Sequence, residues 1–288
     1  MIGDPAPRRM KERLLFHSNF TSLLPAQNNP LKPRRIVGTR LHGIDAANSL
    51  NSDWMRKWCD CVLEYADAIL ITADCACCSP LRERLHGHQP RVTVLLVDPW
   101  LSVTHPLNTL VEKALFDGAA ELILQSSEVW IDKRCIEAMS RHLEEDTLVV
   151  GAGFSERHAD FAGTVPLDGL ASPWNTLALW DLKKLARTGF LPVSGGLLAG
   201  IPGGMEEVAA ISLLQHMDPV SCRAKVFKAS RRHWAIHALT PERAALHEIK
   251  MQTKYQRAER QLQHLGIPRG SVILLEGGET SLSKSETK

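Results

Sequence analysis

The stretch NTLVEKALFDGAAELILQSSE, residues 108–128, decides the fold. An amphipathic helix runs into Gly118, a residue free to take the left-handed conformation that ends helices, and Glu121–Leu124 follows as a short apolar strand. Ser126, Ser127 and Glu128 stand at that strand's carboxyl end, where open α/β sheets place their chemistry.

On the amino-terminal side the same rhythm repeats. Ile36-Val37-Gly38-Thr39 reads as a strand, and Asp53 to Tyr65 as a helix that Asp53 caps through its side chain. Ala68 to Thr72 is a second strand, followed by a helix that Ser79-Pro80 opens. Val92 to Val97 is a third strand, and Pro106 to Phe116 is the helix leading into the quoted segment. A helix from Asp132 to Glu144 and a strand from Thr147 to Val150 continue the order. Alternation at this spacing implies parallel strands joined by crossover helices, and continuous apolar strands imply burial on both faces. The fold class is therefore α/β, a Rossmann-like mostly parallel sheet with flanking helices over about residues 34–154.

Past Phe154 glycine, proline and tryptophan accumulate and the rhythm changes. Periodicity predicts a helix from Trp174 to Thr188 ended by Gly189, and another from Gly203 through Met217 with Glu206 and Glu207 in its first turn, where exposed amide dipoles favour acids. Pro241 to Leu265 reads as one long helix closed by Gly266 and Pro268. Beyond Gly277 the sequence GETSLSKSETK has no apolar content to bury and is expected to be disordered.

Composition bounds the partners. The 288 residues are 44% hydrophobic and 23% charged, enough for one substantial core, and a net charge of +2 gives no broad footprint for nucleic acid. No run of about 18 apolar residues is present to span a bilayer, the first residues lack the apolar centre of a secretory signal, and seven cysteines are an odd number for a disulfide framework. A cytoplasmic location is the expectation.

Ala114-x-x-x-Gly118-Ala119 leading into an apolar strand and an acidic turn resembles the helix and strand that carry the DxD motif in GT-A fold nucleotide-diphospho-sugar transferases, the large family-2 group in particular. Gly204-Met205-Glu206-Glu207 resembles that family's Gly-x-Glu-Asp/Glu turn, about 80 residues further on and in the right order. The resemblance spans roughly Arg35 to His237. It implies a GT-A-like domain over 34–240, with a nucleotide-binding half to 154 and an acceptor half from 155; composition and periodicity add a basic arm over 1–33, a C-terminal helix over 241–266 and a disordered tail over 267–288.

The activity implied is transfer of a sugar from a UDP- or GDP-sugar to an acceptor. A divalent cation, Mn or Mg, commonly stabilises the leaving diphosphate in such reactions, and the resemblance gives Glu128 the metal-binding place, with His233 as a further ligand. Ser126 replaces the first acid of the motif and supplies no charge. Glu206 and Glu207 match the paired acids, one serving as base and its neighbour orienting the acceptor; adjacent helical positions diverge by roughly 100°, so one of the two is expected to face the cleft. Nucleotide contacts are expected from Thr39, Arg40, Asp74 and Asp98 at strand ends and from Ser126. Trp174, Asn175 and Gly204 are expected on the acceptor side. The basic stretch Lys225 to His237 would stand near the diphosphate.

Other readings remain open on sequence. Asp74 at a strand end serves equally as a helix cap. Cys59-x-Cys61 and Cys75-x-Cys77-Cys78 offer a zinc or redox spacing, but Cys59 and Cys61 point apart on a helix, which favours buried structural thiols. A non-catalytic GT-A-like binding protein keeps the fold without the metal site. A nucleotidyltransferase of similar fold would want a Gly-rich basic phosphate loop after the first strand, and Thr39-Arg40-Leu41-His42-Gly43 is sparse for one.

Overall fold

The computed structural model describes residues 20–24, 34–43, 53–153, 162–228, 232–234 and 241–275. The quoted stretch forms the centre of the fold. Helix α3 (Thr104–Phe116) ends in a Schellman turn: the Gly118 N–H donates to Leu115 O and the Ala119 N–H to Ala114 O, both at 2.9 Å, with Gly118 at φ 72°. The chain then enters strand β4 (Glu121–Gln125), four of whose five residues are buried.

Strand β1 (Arg35–Leu41) lies between β2 (Ala68–Ala73) and β4, parallel to both, and β3 (Val92–Leu96) forms the edge beyond β2. On the other side come β8 (Leu177–Asp181), β6 (Thr147–Ala152) and β9 (Arg223–Phe227), then β11 (Ser271–Leu274) and β7 (Gly163–Pro166). This nine-stranded sheet is mostly parallel, with β8 antiparallel to β4 and β6, and β7 antiparallel to β11. Separately, β5 (Val129–Ile131) pairs with β10 (Arg232–Trp234).

Alternation along the strands divides two cores. Ile36, Leu122 and Leu124 face α3, α6 (Glu206–Met217) and α7 (Pro241–Leu265), while Val37 and Ile123 join α1 (Trp54–Val62), α2 (Cys75–Arg84) and α4 (Lys133–Ser140) on the opposite face. The α/β layer expected from the sequence is thus present, with helices on both faces.

Several expectations need correction. Residues 174–188 form β8 and the four-residue α5 (Leu182–Leu185) instead of one helix. Leu177-Ala178-Leu179-Trp180 is buried throughout, and such a short apolar run satisfies either period until β4 and β6 offer ladders on both edges. Within 267–288, expected to be disordered, Ser271–Leu274 adds β11 to the sheet because Val272 and Leu274 bury on one face. GETSLSKSETK lies outside the described residues, as does the arm over 1–19 and 25–33. Asp53 stands at the N-cap of α1 without a side-chain cap bond. The helix expected from Gly203 begins at Glu206, after Met205 takes a left-handed turn at φ 59°. No helix among the described residues is long and apolar enough to cross a membrane.

Candidate functional site

The strand order β3-β2-β1-β4 reverses direction of travel between β1 and β4, and a crevice at that switch point opens beyond the strands' carboxyl ends. A cavity of ≈ 240 Å³ occupies it. Thr39 and Arg40 from β1 line it together with Gln125 and Ser126 from the end of β4. Trp174 and Asn175 enter from the segment before β8, Met205, Glu206 and Glu207 from the start of α6, and Lys254 from α7. Seven of the expected site residues therefore converge: Thr39, Arg40, Ser126, Trp174, Asn175, Glu206 and Glu207.

The acids form the cavity's polar centre. Both line it, so the expectation that one alone faces the cleft is corrected: they sit in the first turn of α6, where the cleft wraps around the helix end. Glu206 accepts a hydrogen bond from Asn175 Nδ2 at 3.2 Å, and Arg40 Nη2 lies 3.7 Å from its Oε1. Asn175 is itself fixed because its Oδ1 accepts from the buried Trp180 Nε1 at 3.0 Å. Ser172 Oγ donates to Glu207 Oε1 at 3.5 Å.

Only 4% of Glu207 is exposed. Burial, with the neighbouring Glu206 charge second, pushes the Glu207 carboxyl up to about 8. Burial likewise brings the Lys254 ammonium down to about 8, against the pull of Glu207. Burial thus disfavours the charged form of both groups, while each charge favours the other.

Lys254 is the residue that sequence reading missed. Its Nζ lies 3.0 Å from the centroid of the Trp174 ring, a cation–π contact. The approach depends on Gly169, where a Cβ would stand 2.4 Å from Lys254 O. Gln261 holds the same helix by donating to Pro202 O at 2.8 Å and Gly204 O at 2.7 Å. The periodicity of α7 marks a helix but carries no signal of where it docks.

The remaining expected residues lie elsewhere. Asp74 caps α2, accepting from the Cys77 N–H at 2.9 Å and the Gly43 N–H at 2.7 Å, the capping alternative left open by the sequence. Asp98 is exposed past β3, near the tilted stack of His42 on Trp100 with centroids 4.8 Å apart. Gly204 adjoins the cavity through Met205 and does not line it. Glu128 is exposed and does not line it either; its N–H donates to Ser126 Oγ at 3.4 Å. The register of β5 and β10 sets His233 opposite Trp130, two positions from Glu128. Lys225, expected near the diphosphate, is buried in β9 and paired with Glu144 at 2.5 Å. Arg231 and His237 lie outside the described residues.

The donor set fits a divalent cation poorly. The acids of the cavity are already held by Asn175, Arg40 and Ser172, and an ion among them would stand beside the positive charges of Arg40 and Lys254. Among the described residues no three His, Cys, Asp or Glu side chains are grouped to hold a metal. The five clustered cysteines divide between α1 and α2, and burial pushes the Cys59 and Cys77 thiols up to about 12, as in inert structural thiols.

No protein-family model matches the chain, and no curated protein does. Solved structures of similar path do exist. A mannosyltransferase from Pyrobaculum calidifontis, in complex with GDP-Man and Mn2+, is 13% identical at a TM-score of 0.47 over 75% of this chain and 60% of that one. GalNAc-T7 with UDP, GalNAc and Mn2+ is 8% identical at 0.47, over 66% and 42%. The 4-diphosphocytidyl-2C-methyl-D-erythritol synthase of Anaerococcus prevotii is 12% identical at 0.48, over 76% and 99%. The chain thus spans less than two thirds of the first two. These likenesses concern chain path, and it is the chain's own side chains that bear on its chemistry.

Proposed function

We propose that this protein is a glycosyltransferase that moves a sugar from a nucleoside-diphosphate sugar to an acceptor hydroxyl. The observation that carries the reading is the convergence of Thr39, Arg40, Ser126, Asn175, Glu206 and Glu207 on one cavity at the β1/β4 switch point. At ≈ 240 Å³ the cavity falls below the roughly 300–1,000 Å³ of pockets that enclose a drug-sized ligand, so it suits a sugar ring with an adjoining phosphate. The nucleoside would extend over the ends of β1 to β3, where the rings of His42 and Trp100 offer faces for a base and Asp98 offers an acceptor for its amino or imino hydrogens.

Roles follow from the hydrogen bonds. Asn175 and Arg40 are partners suited to an anionic carboxylate, so Glu206 takes the proton of the acceptor hydroxyl as that oxygen bonds to the anomeric carbon and the bond to the diphosphate oxygen breaks. Glu207, raised by burial, holds a proton beside it and donates a hydrogen bond to the bound sugar. Trp174 carries the Lys254 ammonium over its ring at the cavity wall.

Thermal melting against a panel of UDP- and GDP-sugars tests the reading. A donor at about 100 times its Kd adds roughly 2.7 kcal/mol to the native state. The reading expects at least one donor to raise the melting temperature, and Glu206→Gln to keep that rise while losing roughly 10²–10⁴ in turnover. A flat panel would sink it.

A further inference from the structure

We propose that Arg40 and Lys254 together meet the negative charge of the donor's diphosphate in this cavity, in the place where the resembling family uses a divalent cation. The proposal rests on reading the cavity as a nucleotide-sugar site and assigns that site its charge-neutralising groups.

Both cations are fixed before any ligand arrives. Arg40 Nη1 donates to Val103 O at 3.2 Å, and with its side chain 31% exposed the guanidinium keeps further N–H groups for the cavity. Lys254 is set in the cavity lining by Trp174 beneath its ammonium and by the close passage of its backbone over Gly169. Preorganised cations of this kind need no reorganisation when charge develops on a leaving group.

A third observation points to an oxygen-rich ligand. Thr39 is 3% exposed, lines the cavity, and its Oγ1 has no hydrogen-bond partner among the described residues. A buried hydroxyl left unpaired is costly, and a phosphate oxygen would accept its proton. Ser126 Oγ accepts the Glu128 N–H, which leaves its own O–H to donate across the same space.

The placement of charge agrees. Arg40 and Lys254 are the basic side chains lining the cavity; Arg40 stands 3.7 Å from Glu206, and burial works against a charge on Glu207. Arg257, which lowers Lys254 further, adds to the field from α7. An anion is drawn in, whereas a free divalent ion meets two like charges.

Calorimetric titration of UDP and of GDP into the full chain, in EDTA and in Mn2+, tests the proposal. One of the two is expected to bind in EDTA, and Lys254→Gln to weaken that binding by roughly ten- to hundredfold, with Lys254→Arg restoring most of it. Arg40→Gln, on a different element, provides the second variant, and melting curves confirm that each is folded. Binding that appears only with Mn2+, or that is indifferent to both substitutions in folded protein, overturns the proposal and leaves the nucleotide-sugar reading standing. Absence of binding in either buffer removes that reading, and the proposal with it.

Discussion

Glu207→Gln is expected to make the protein more stable than wild type at alkaline pH and equal to it in acid. Burial raises the carboxyl from 4.5 to about 8 in the folded state. The folded state therefore binds more protons than the unfolded chain between those values, and stability falls as pH rises through the window. At about 1.4 kcal/mol per unit, wild type loses roughly 3 kcal/mol between about pH 5 and about pH 8 on account of this one group. Glutamine keeps the shape and the hydrogen bond from Ser172 but does not ionise, so the loss disappears. Lys254, lowered to about 8, contributes with the opposite sign: its unfolded state holds the extra proton above that value, and stability recovers as pH climbs further. Urea denaturation of wild type and variant at pH steps across this range measures the difference directly. Curves that stay parallel with pH would refute the assignment of Glu207 as a carboxyl protonated by burial.

Three further outcomes follow from the geometry. Asn175→Ala removes partners from the buried Trp180 Nε1 and from Glu206, and should cost about 2–3 kcal/mol in denaturant melts while lowering turnover. Gly169→Ala puts a methyl 2.4 Å from Lys254 O, so α7 should lift: hydrogen exchange in residues 253–265 should accelerate and UDP or GDP affinity should fall together. Gly118→Ala forces a side chain into φ 72° at the end of α3 and should destabilise by about 1 kcal/mol without changing donor affinity.

The part up to residue 154 was legible because its strands are continuous apolar runs and its helices carry local punctuation such as Gly118 after α3, although α2 begins at Cys75 behind its Asp74 cap and carries Pro80 inside it, so Ser79-Pro80 does not open it. Such signals act over a few residues and survive without knowledge of the partner. The part beyond residue 154 was less legible for the converse reason. Leu177–Trp180 becomes a strand because β4 and β6 flank it, and Ser271–Leu274 becomes one because β9 and β7 do. The acids at 206 and 207 could be read from their turn, whereas Lys254 enters the cavity through docking of a helix whose periodicity specifies only an apolar face. Asp74 and Lys225 were chemically sensible choices that local capping and a buried ion pair explain instead.

Release of nucleoside diphosphate from a panel of UDP- and GDP-sugars tests the central claim most directly. The account predicts that wild type releases UDP or GDP from at least one donor, that release increases with an acceptor, and that Glu206→Gln slows it by roughly 10²–10⁴ while the donor still binds. Release unaffected by Glu206→Gln, or absent with every donor the protein demonstrably binds, would contradict it.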